Sequence, residues 1–426
     1  MVGKSSIAHY LIEFVNFILY NQDMKIPHAV LAVMIDYSKA FNRICHNTII
    51  TILSKMGVPG WLLRIVMGFL TERELIVRYG GKHSDRKWLP GGSPQGTRLG
   101  LFLFLILYLN AAGYEILEKQ LGGHITQKKN RRTIIPNIHM KFVDDLTLAE
   151  AVNVKECVLP NPDPNPPHPL SYHDRTQHVL PKDQTPVQQE LNRFLQYCTD
   201  NQMRINADKT KVALFNTARN YDFMPQLTID GVNQLEVVEE FCLLGLMFKS
   251  NLSWQSNTDL MCQKGYAWLW MLRRLKKLGA NQSEMIDVFY KQIRCVLELA
   301  VAVWLPGLTK AECDQIERVQ KCALHIIMGD RYLNYEHAVS HLDVEQLSNR
   351  RPKMCLSFAL RLEKHEKYSN WLHPAEEFIP PTMNTRSDKT VHLSKYKPVT
   401  LRTDQFKKSP IPFLTEILNE HYARKK

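Results

Sequence analysis

Two short segments constrain this chain more than anything else in it, because each delivers carboxylates at the end of a run that reads as β-strand. Val30 to Asp36 (VLAVMID) is nearly continuous in apolar residues and closes on an acid. That is the pattern of a buried strand whose last residue emerges from the core. His139 to Leu148 (HMKFVDDLTL) alternates on either side of Asp144 and Asp145, as a β-hairpin does. Adjacent carboxylates repel one another, and the repulsion is costly unless a cation sits there. A DD pair taken alone reads more readily as a solvated turn. Preceded by an apolar–aromatic pair and partnered by a strand-end acid upstream, it points to a metal. Phosphoryl transfer uses two divalent ions about 3.5–4 Å apart, one activating the attacking hydroxyl and one stabilising the leaving pyrophosphate. Hard Mg²⁺ prefers oxygen ligands, so carboxylates on adjacent strands suit it, and Mn²⁺ takes the same donors.

The charge balance is compatible with that chemistry. Lys and Arg outnumber Asp and Glu by 54 to 42, and the net charge of +12 suits an acidic partner, nucleic acid first. A merely basic enzyme has the same balance. The 426 residues suffice for two or three packed units. Nine Cys lie scattered without C-x-x-C pairs, which argues against a zinc site or a disulfide framework. They read as reduced thiols of an intracellular protein. The start, MVGKSSIAHY, lacks the apolar core of a signal peptide, and the run Leu99 to Ala112 is too short to span a bilayer comfortably. No membrane partner is expected, and nucleus and cytoplasm stay open.

Along the chain, residues 5–20 carry apolar positions at helical spacing, and 47–70 read as helical with a break at Gly57-Val58-Pro59-Gly60. Leu75 to Tyr79 and the residues around Trp88 look like hairpin strands. Gly91-Gly92-Ser93-Pro94 is a turn, and a long apolar helix follows from about Leu99. From Leu159 to Pro186 six prolines crowd between Pro160 and Pro169, a flexible or polyproline-like insertion. A helix is expected from Val187 to about Gln202, then turn and strand from Met203 to Phe215. Residues 258–330 are strongly helical, and the tail from about Glu363 reads as polar and less well packed. Lys128 to Arg132 and Arg273 to Lys277 are basic clusters, either phosphate contacts or solvated faces. Trp254, Trp268, Trp270 and Trp304 read as core rather than stacking platforms.

Five motifs in order are similar to those of reverse transcriptases of non-LTR retrotransposons, the LINE-type, jockey-like elements. AVMIDYSKAFNRICH resembles the family's first palm motif, and GGSPQGTRLGLFLFLI its P-Q-G motif. FVDD matches the [FY]-x-D-D box. LQYCTDNQMRINADKTKVALF resembles the N-x-M-x-[LI]-N-x-x-K-T motif, and FCLLGLMFKSNLSW the hairpin after it. AVWLP and IERVQKCALHIIMG resemble the thumb. The likeness covers roughly residues 1–330. It implies an α+β right-hand polymerase palm, an antiparallel sheet backed by helices, with a fingers remnant before it and a helical thumb after. On that reading residues 1–150 hold fingers remnant and palm, 151–186 the Pro-rich insertion, 187–255 the rest of the palm, 256–350 the thumb-like region and 351–426 a polar tail.

The resemblance implies an RNA-directed DNA polymerase that adds dNTPs to a DNA primer 3′-hydroxyl on an RNA template. It assigns Asp36, Asp144 and Asp145 to Mg²⁺, and Phe41 to the sugar, where an aromatic excludes a 2′-hydroxyl and disfavours an RNA polymerase. Gln95 and Gly96 match the loop beside the incoming nucleotide, and Lys209 a lysine that protonates or neutralises the pyrophosphate. Read without the family, Phe41 is ordinary core, Pro94-Gln95-Gly96 a turn and Lys209 a surface charge. Several positions depart from the pattern. Asn42 stands where a second Asp is frequent. Arg98 and Leu101 stand where a small residue and Pro are common. The Pro-rich stretch widens the gap between the third and fourth motifs. Met1 falls near the end of the family's fingers region, so truncation at the N-terminus is expected, with neither endonuclease nor RNase H recognisable. The alternative is a catalytically inactive, retrotransposon-derived relic that binds nucleic acid.

Overall fold

A computed structural model describes residues 6–26, 28–37, 40–89, 91–94, 96–110, 137–142, 145–152, 186–216, 227–229, 231, 233–374, 395–397 and 401–424. Gln95, Asp144, the Lys128–Arg132 cluster and nearly all of the Pro-rich stretch lie outside these residues. The chain divides into two units. One comprises Met1–Ile26 and Glu240–Lys426, the other Pro27–Glu239. Both mix helices with small sheets, and helix predominates. No described helix is long and apolar enough to cross a membrane.

The first unit opens with α1 (Ile7–Gln22), most of which is buried. It is completed by elements from the C-terminal half of the chain, taken up below.

The second unit is built on β1 (Ala29–Ile35). After it come α2 (His46–Lys55) and α3 (Gly60–Leu70). Four short strands follow: β2 (Arg73–Leu75), β3 (Arg78–Tyr79), β4 (Lys82–His83) and β5 (Lys87–Leu89). Next are α4 (Arg98–Asn110), β6 (Asn137–Phe142), β7 (Asp145–Val152), α5 (Pro186–Asp200) and β8 (Lys211–Phe215). The short strands β9 (Thr228–Ile229), β10 (Asn233–Gln234) and β11 (Glu236–Val237) close the unit.

The main sheet has five strands in the order β11-β8-β1-β7-β6. β1 is central and antiparallel to both neighbours, and only the β11–β8 pair is parallel. Strand alternation sends Leu31, Val33 and Ile35 of β1, Leu146 and Leu148 of β7 and Val212 of β8 to one face. These join one core with Ile49 and Leu53 of α2, Leu70 of α3, Leu103 and Phe104 of α4, and Leu191 and Phe194 of α5. Full burial of each such side chain contributes about 1.5–3 kcal/mol, and this layer fixes the register. A slip by one residue would turn the apolar set of β1 to the wrong side. The other face carries Val30, Ala32, Met34 and then Asp36 along β1, and an alanine row runs across it, Ala213–Ala32–Ala149.

The join of sheet to helix is itself polar. Glu150 is buried, and its carboxylate accepts a hydrogen bond from the Val187 backbone N–H at 2.9 Å, at the start of α5. Burial pushes the Glu150 pKa up, and the Val187 bond works against that shift. The helix end gains an acceptor for an otherwise orphaned donor.

In the first unit, β12 (Glu240–Leu243) and β13 (Leu246–Lys249) form the expected hairpin, with Leu244 and Gly245 both at positive φ in the two-residue turn. α6 (Gln255–Lys277) and α7 (Gln282–Val288) follow, and then a π-helical turn, Phe289–Arg294. After these come α8 (Cys295–Leu297), α9 (Val301–Trp304), α10 (Lys310–Met328), α11 (Tyr335–His341) and α12 (Leu347–Leu362). Two further helices lie in the tail, α13 (Asp404–Lys407) and α14 (Pro410–Ala423). Ile411, Leu414 and Leu418 are buried, so this part of the tail is packed where its polar composition reads otherwise. The reason is spacing: those three residues fall on one helical stripe. A second departure is Trp270, which is 63 % exposed. The buried stripe of α6 runs through Met261, Gly265, Leu269 and Leu272, and Trp270 sits off it. Trp254 and Trp304 are buried as expected. In the basic run of α6, Lys276 donates to the Ile326 carbonyl at 2.7 Å near the end of α10, a cap rather than a free charge.

Candidate active site

The site is set by the strand registers around β1 and by the turn that leads into β8. β1 and β7 pair through Ile35↔Leu146, and β1 and β8 through Met34↔Lys211. One step further along the first ladder sets Asp36 opposite Asp145. Lys209 stands outside β8, in the turn that leads into it, and meets Asp36 through its side chain. In an antiparallel ladder opposed residues share a face, so Asp36 and Asp145 belong to the face away from the helix-packed core. β6 and β7 pair up to Phe142↔Asp145. Two of the three carboxylates expected at the site therefore lie side by side at the end of the central strand pair. Asp144 is outside the described residues.

Asp36 is held by its backbone and leaves its side chain accessible. Its N–H donates to Thr210 Oγ1 at 3.4 Å, and its carbonyl accepts from the Asn206 N–H at 2.8 Å. Tyr37 bridges to Ile205, and the Tyr37 ring meets Phe194 edge-on at 5.9 Å. Thr210 is fully buried and donates from Oγ1 to the Asn206 carbonyl at 2.8 Å. This closes the turn 206–210 against the end of β1 and presents Lys209. Its Nζ lies 4.0 Å from Asp36 Oδ2, with side chains 70 % and 42 % exposed respectively. So loose an exposed pair contributes at most about 1 kcal/mol. The lysine is available to any other anion that enters.

The segment after Asp36 and the glycine loop before α4 are latched together. Residues Ala40–Arg43 form a 3₁₀ turn. The Ser93 N–H donates to the Phe41 carbonyl at 2.8 Å, and the Gly92 N–H to the Ile44 carbonyl at 3.1 Å. Arg73 donates from Nη2 to the Gly91 and Gly92 carbonyls at 2.9 and 2.6 Å, and His46 Nε2 donates to the Gly92 carbonyl at 2.8 Å. Thr97 caps α4, its Oγ1 accepting from the Gly100 N–H at 3.1 Å and donating to the Pro94 carbonyl at 2.9 Å. Phe41 is half-buried and stacks on Phe104 with ring centroids 4.4 Å apart. Gly96 is exposed at φ +80 with open space around it, and Gln95 is outside the described residues. A cleft of about 1580 Å³ opens beside this latch, walled by Asn42, His46, Arg73, Ser93, Met203 and Arg204. Neither Asp36 nor Asp145 lines it.

Sequence reasoning singled out Lys209 and missed the residues that position it. Asn206 and Thr210 stand in the same N-x-x-K-T stretch and carry the turn. Arg73 and His46, which hold the glycine loop, had no local signal at all. Among the described residues no three His, Cys, Asp or Glu gather as a metal-ligating group. The donor chemistry of Asp36 and Asp145, two carboxylates adjacent across a ladder with the first of them accessible, does fit a hard divalent cation.

No family model matches the chain, and no curated protein matches it. Among solved structures it is similar to telomerase from Candida Tropicalis in complex with a TWJ fragment of telomeric RNA. That match has 10% identity over 85% of this chain and 46% of that one, with a TM-score of 0.39. Telomerase from Candida albicans with a TWJ fragment of telomeric RNA matches at 12% identity over 87% and 54%, TM-score 0.35. Apo telomerase from Candida Tropicalis matches at 9% identity over 84% and 54%, TM-score 0.37. The chain spans about half the length of these telomerase chains.

Proposed function

We propose that the unit Pro27–Glu239 is the palm of an RNA-directed DNA polymerase of the non-LTR retrotransposon type. The observation that carries this reading is the convergence of Asp36, Asp145 and Lys209 at one end of the central strands, the two acids through the β1–β7 register and the lysine through the turn pinned against Asp36. The order of the sequence motifs supports it, and so does the latch that holds Gly92 and Ser93 against the turn bearing Phe41.

Asp36, Asp145 and Asp144 would hold Mg²⁺, or Mn²⁺ in its place. When bound, the ions lower the pKa of the primer 3′-hydroxyl and offset charge on the triphosphate. The chain's own residues do the rest. The strand ends hold Asp36 and Asp145 on one side of the sheet, where a primer end and a dNTP can approach. Phe41, with one ring face on Phe104, limits room at the sugar and favours dNTPs over NTPs. Gly96 lets backbone approach the nucleotide closely. Lys209, on its pinned turn, neutralises the departing pyrophosphate or gives it a proton.

The test is primer extension on poly-rA with an oligo-dT primer, dTTP and Mg²⁺. Wild-type protein is expected to extend, and Asp36→Asn and Asp144→Asn/Asp145→Asn to lose at least about 100-fold in rate with unchanged thermal midpoints. A folded, monodisperse protein that extends no primer would sink the polymerase reading and leave the nucleic-acid-binding relic.

A further inference from the structure

The ribbon Arg73–Leu89 enters the site just described only at its base, where Arg73 grips the glycine loop and Glu74, Leu75 and Leu89 wall the cleft, and the surface of the rest is unusual. It is a two-stranded hairpin. β2 pairs with β5 (Glu74↔Trp88, Leu75↔Lys87) and β3 with β4 (Arg78↔His83, Tyr79↔Lys82). Gly80 and Gly81, both at positive φ, make the two-residue turn whose twist matches the strands. Between the two ladders the return strand has one residue more than its partner, and the Ser84 N–H donates to the Val77 carbonyl at 2.9 Å. Every residue from Glu74 to Trp88 is exposed. A free-standing two-stranded ribbon is marginal in water and is ordinarily blunted with polar side chains. Here Tyr79 is 88 %, Trp88 59 %, Val77 58 % and Leu75 49 % exposed.

Charge decides what such a surface takes. Arg73 is spent on loop carbonyls, and Glu74 pairs with Arg86 at 3.2 Å. That leaves Arg78, Lys82 and Lys87, none in an ion pair among the described residues, against the single carboxylate Asp85. Lys82 shares a face with Tyr79, and Lys87 neighbours Trp88. Protein interfaces are depleted of Lys at their centre, whereas aromatic faces interleaved with cations are how single strands are held. Bases stack on the rings and phosphates meet the cations.

We propose that this ribbon is an arm that binds single-stranded nucleic acid, Tyr79 and Trp88 stacking bases while Arg78, Lys82 and Lys87 meet phosphates. Binding at the arm requires no catalysis, so it stands or falls apart from the polymerase reading.

The experiment is fluorescence anisotropy of labelled oligo-rA, oligo-dT and a duplex with the full chain over a salt series. Tyr79→Ala/Trp88→Ala is expected to weaken single-strand binding about tenfold per ring, with Trp88→Phe retaining most of it. Arg78→Gln/Lys82→Gln/Lys87→Gln is expected to lower the slope of log affinity against log salt by about 2, at about 0.7 per phosphate contact. The substitutions sit on an exposed ribbon, and unchanged thermal midpoints verify the fold. Equal affinity of wild type and both variants overturns the arm, as does a wild type that binds no single strand. An equal loss on the duplex also overturns it, because paired bases offer no free ring faces. So does a dimer that Tyr79→Ala/Trp88→Ala dissociates while RNA affinity holds, since the ribbon would then be a contact between copies. Loss of single-strand binding in variants of a protein that extends no primer keeps the arm and rejects the polymerase. Equal binding of oligo-rA and oligo-dT supports an arm that reads strand rather than sugar.

Discussion

Phe41 serves two masters, and a single substitution separates them. Its ring packs against the core and stacks on Phe104 at 4.4 Å, yet the residue remains half-exposed at the turn that follows Asp36. Removing the ring costs stacking and part of its burial, so Phe41→Ala is expected to destabilise the unit by about 1–3 kcal/mol. If the outer ring face also limits room at the sugar, the same variant accepts NTPs. The expected outcome is a preference for dTTP over UTP that falls at least about tenfold, read as the ratio of kcat/KM values. A lower thermal midpoint with an unaltered ratio would make Phe41 core and nothing more. Lys209 illustrates the same economy of position. Its ion pair with Asp36 is too exposed to matter for stability, so its place on the buried Thr210 turn matters only for what it reaches.

At the scale of elements, the glycine loop shows why two glycines in one motif are not equivalent. Gly92 and Gly96 both sit at φ +80. A Cβ on Gly92 would lie 2.9 Å from Asn42 Cα and from the Asn42 and Phe41 carbonyl oxygens, all backbone, whereas one on Gly96 meets nothing within 4 Å. Gly96→Ala is therefore expected to cost about 1–2 kcal/mol, the left-handed penalty alone. Gly92→Ala adds a clash that pushes the loop off the Phe41–Ile44 turn, and its cost is expected to exceed that of Gly96→Ala by at least about 1 kcal/mol. Denaturant titration of the two variants decides it, and equal costs would mean the latch is slack. The comparison also marks the limit of sequence reading. The strand-end placement of Asp36 and Asp145 was legible because an acid at the end of an alternating or apolar run is a local signal with a period. The stripe Ile411–Leu414–Leu418 and the off-stripe Trp270 were legible in principle, through spacing that polar neighbours and a general preference for buried tryptophan concealed. The grip of Arg73 on Gly91 and Gly92 and of Asn206 on Asp36 was not legible. It joins residues far apart in sequence, through backbone carbonyls that every residue type possesses.

For the whole molecule, the first unit closes by joining the two ends of the chain, and that closure carries a pH dependence. Asp23, just after α1, accepts from the Arg402 and Thr403 N–H groups at 3.0 and 2.6 Å. Phe14 meets Phe248 edge-on at 5.8 Å, and His9 stacks on Tyr368 at 4.7 Å. His9 is buried, and its Nδ1 accepts from the Ser6 N–H at 3.1 Å, a role open only to the neutral ring. Burial, with His365, Arg361 and Lys367 adding positive charge nearby, lowers its pKa from 6.5 to about 4. Between those values the unfolded chain binds a proton that the folded chain refuses, so stability falls as pH falls. From pH 6.5 to 5 the loss amounts to about 2 kcal/mol, and the slope from His9 dies away about a unit above 6.5, where the unfolded ring too is neutral. Glu13, one turn along α1, has its pKa raised by burial and pulled back by Lys367, which gives a slope of opposite sign. A difference measurement cancels it. Native-state hydrogen exchange of the α1 amides, wild type against His9→Phe, is expected to show a stability gap that shifts against the wild type by about 2 kcal/mol on acidification over that window. The lost Ser6 bond contributes only a constant offset. A gap that stays flat would mean that the ring takes up its proton in place, and that α1 is less firmly closed against Tyr368 than its stacking implies.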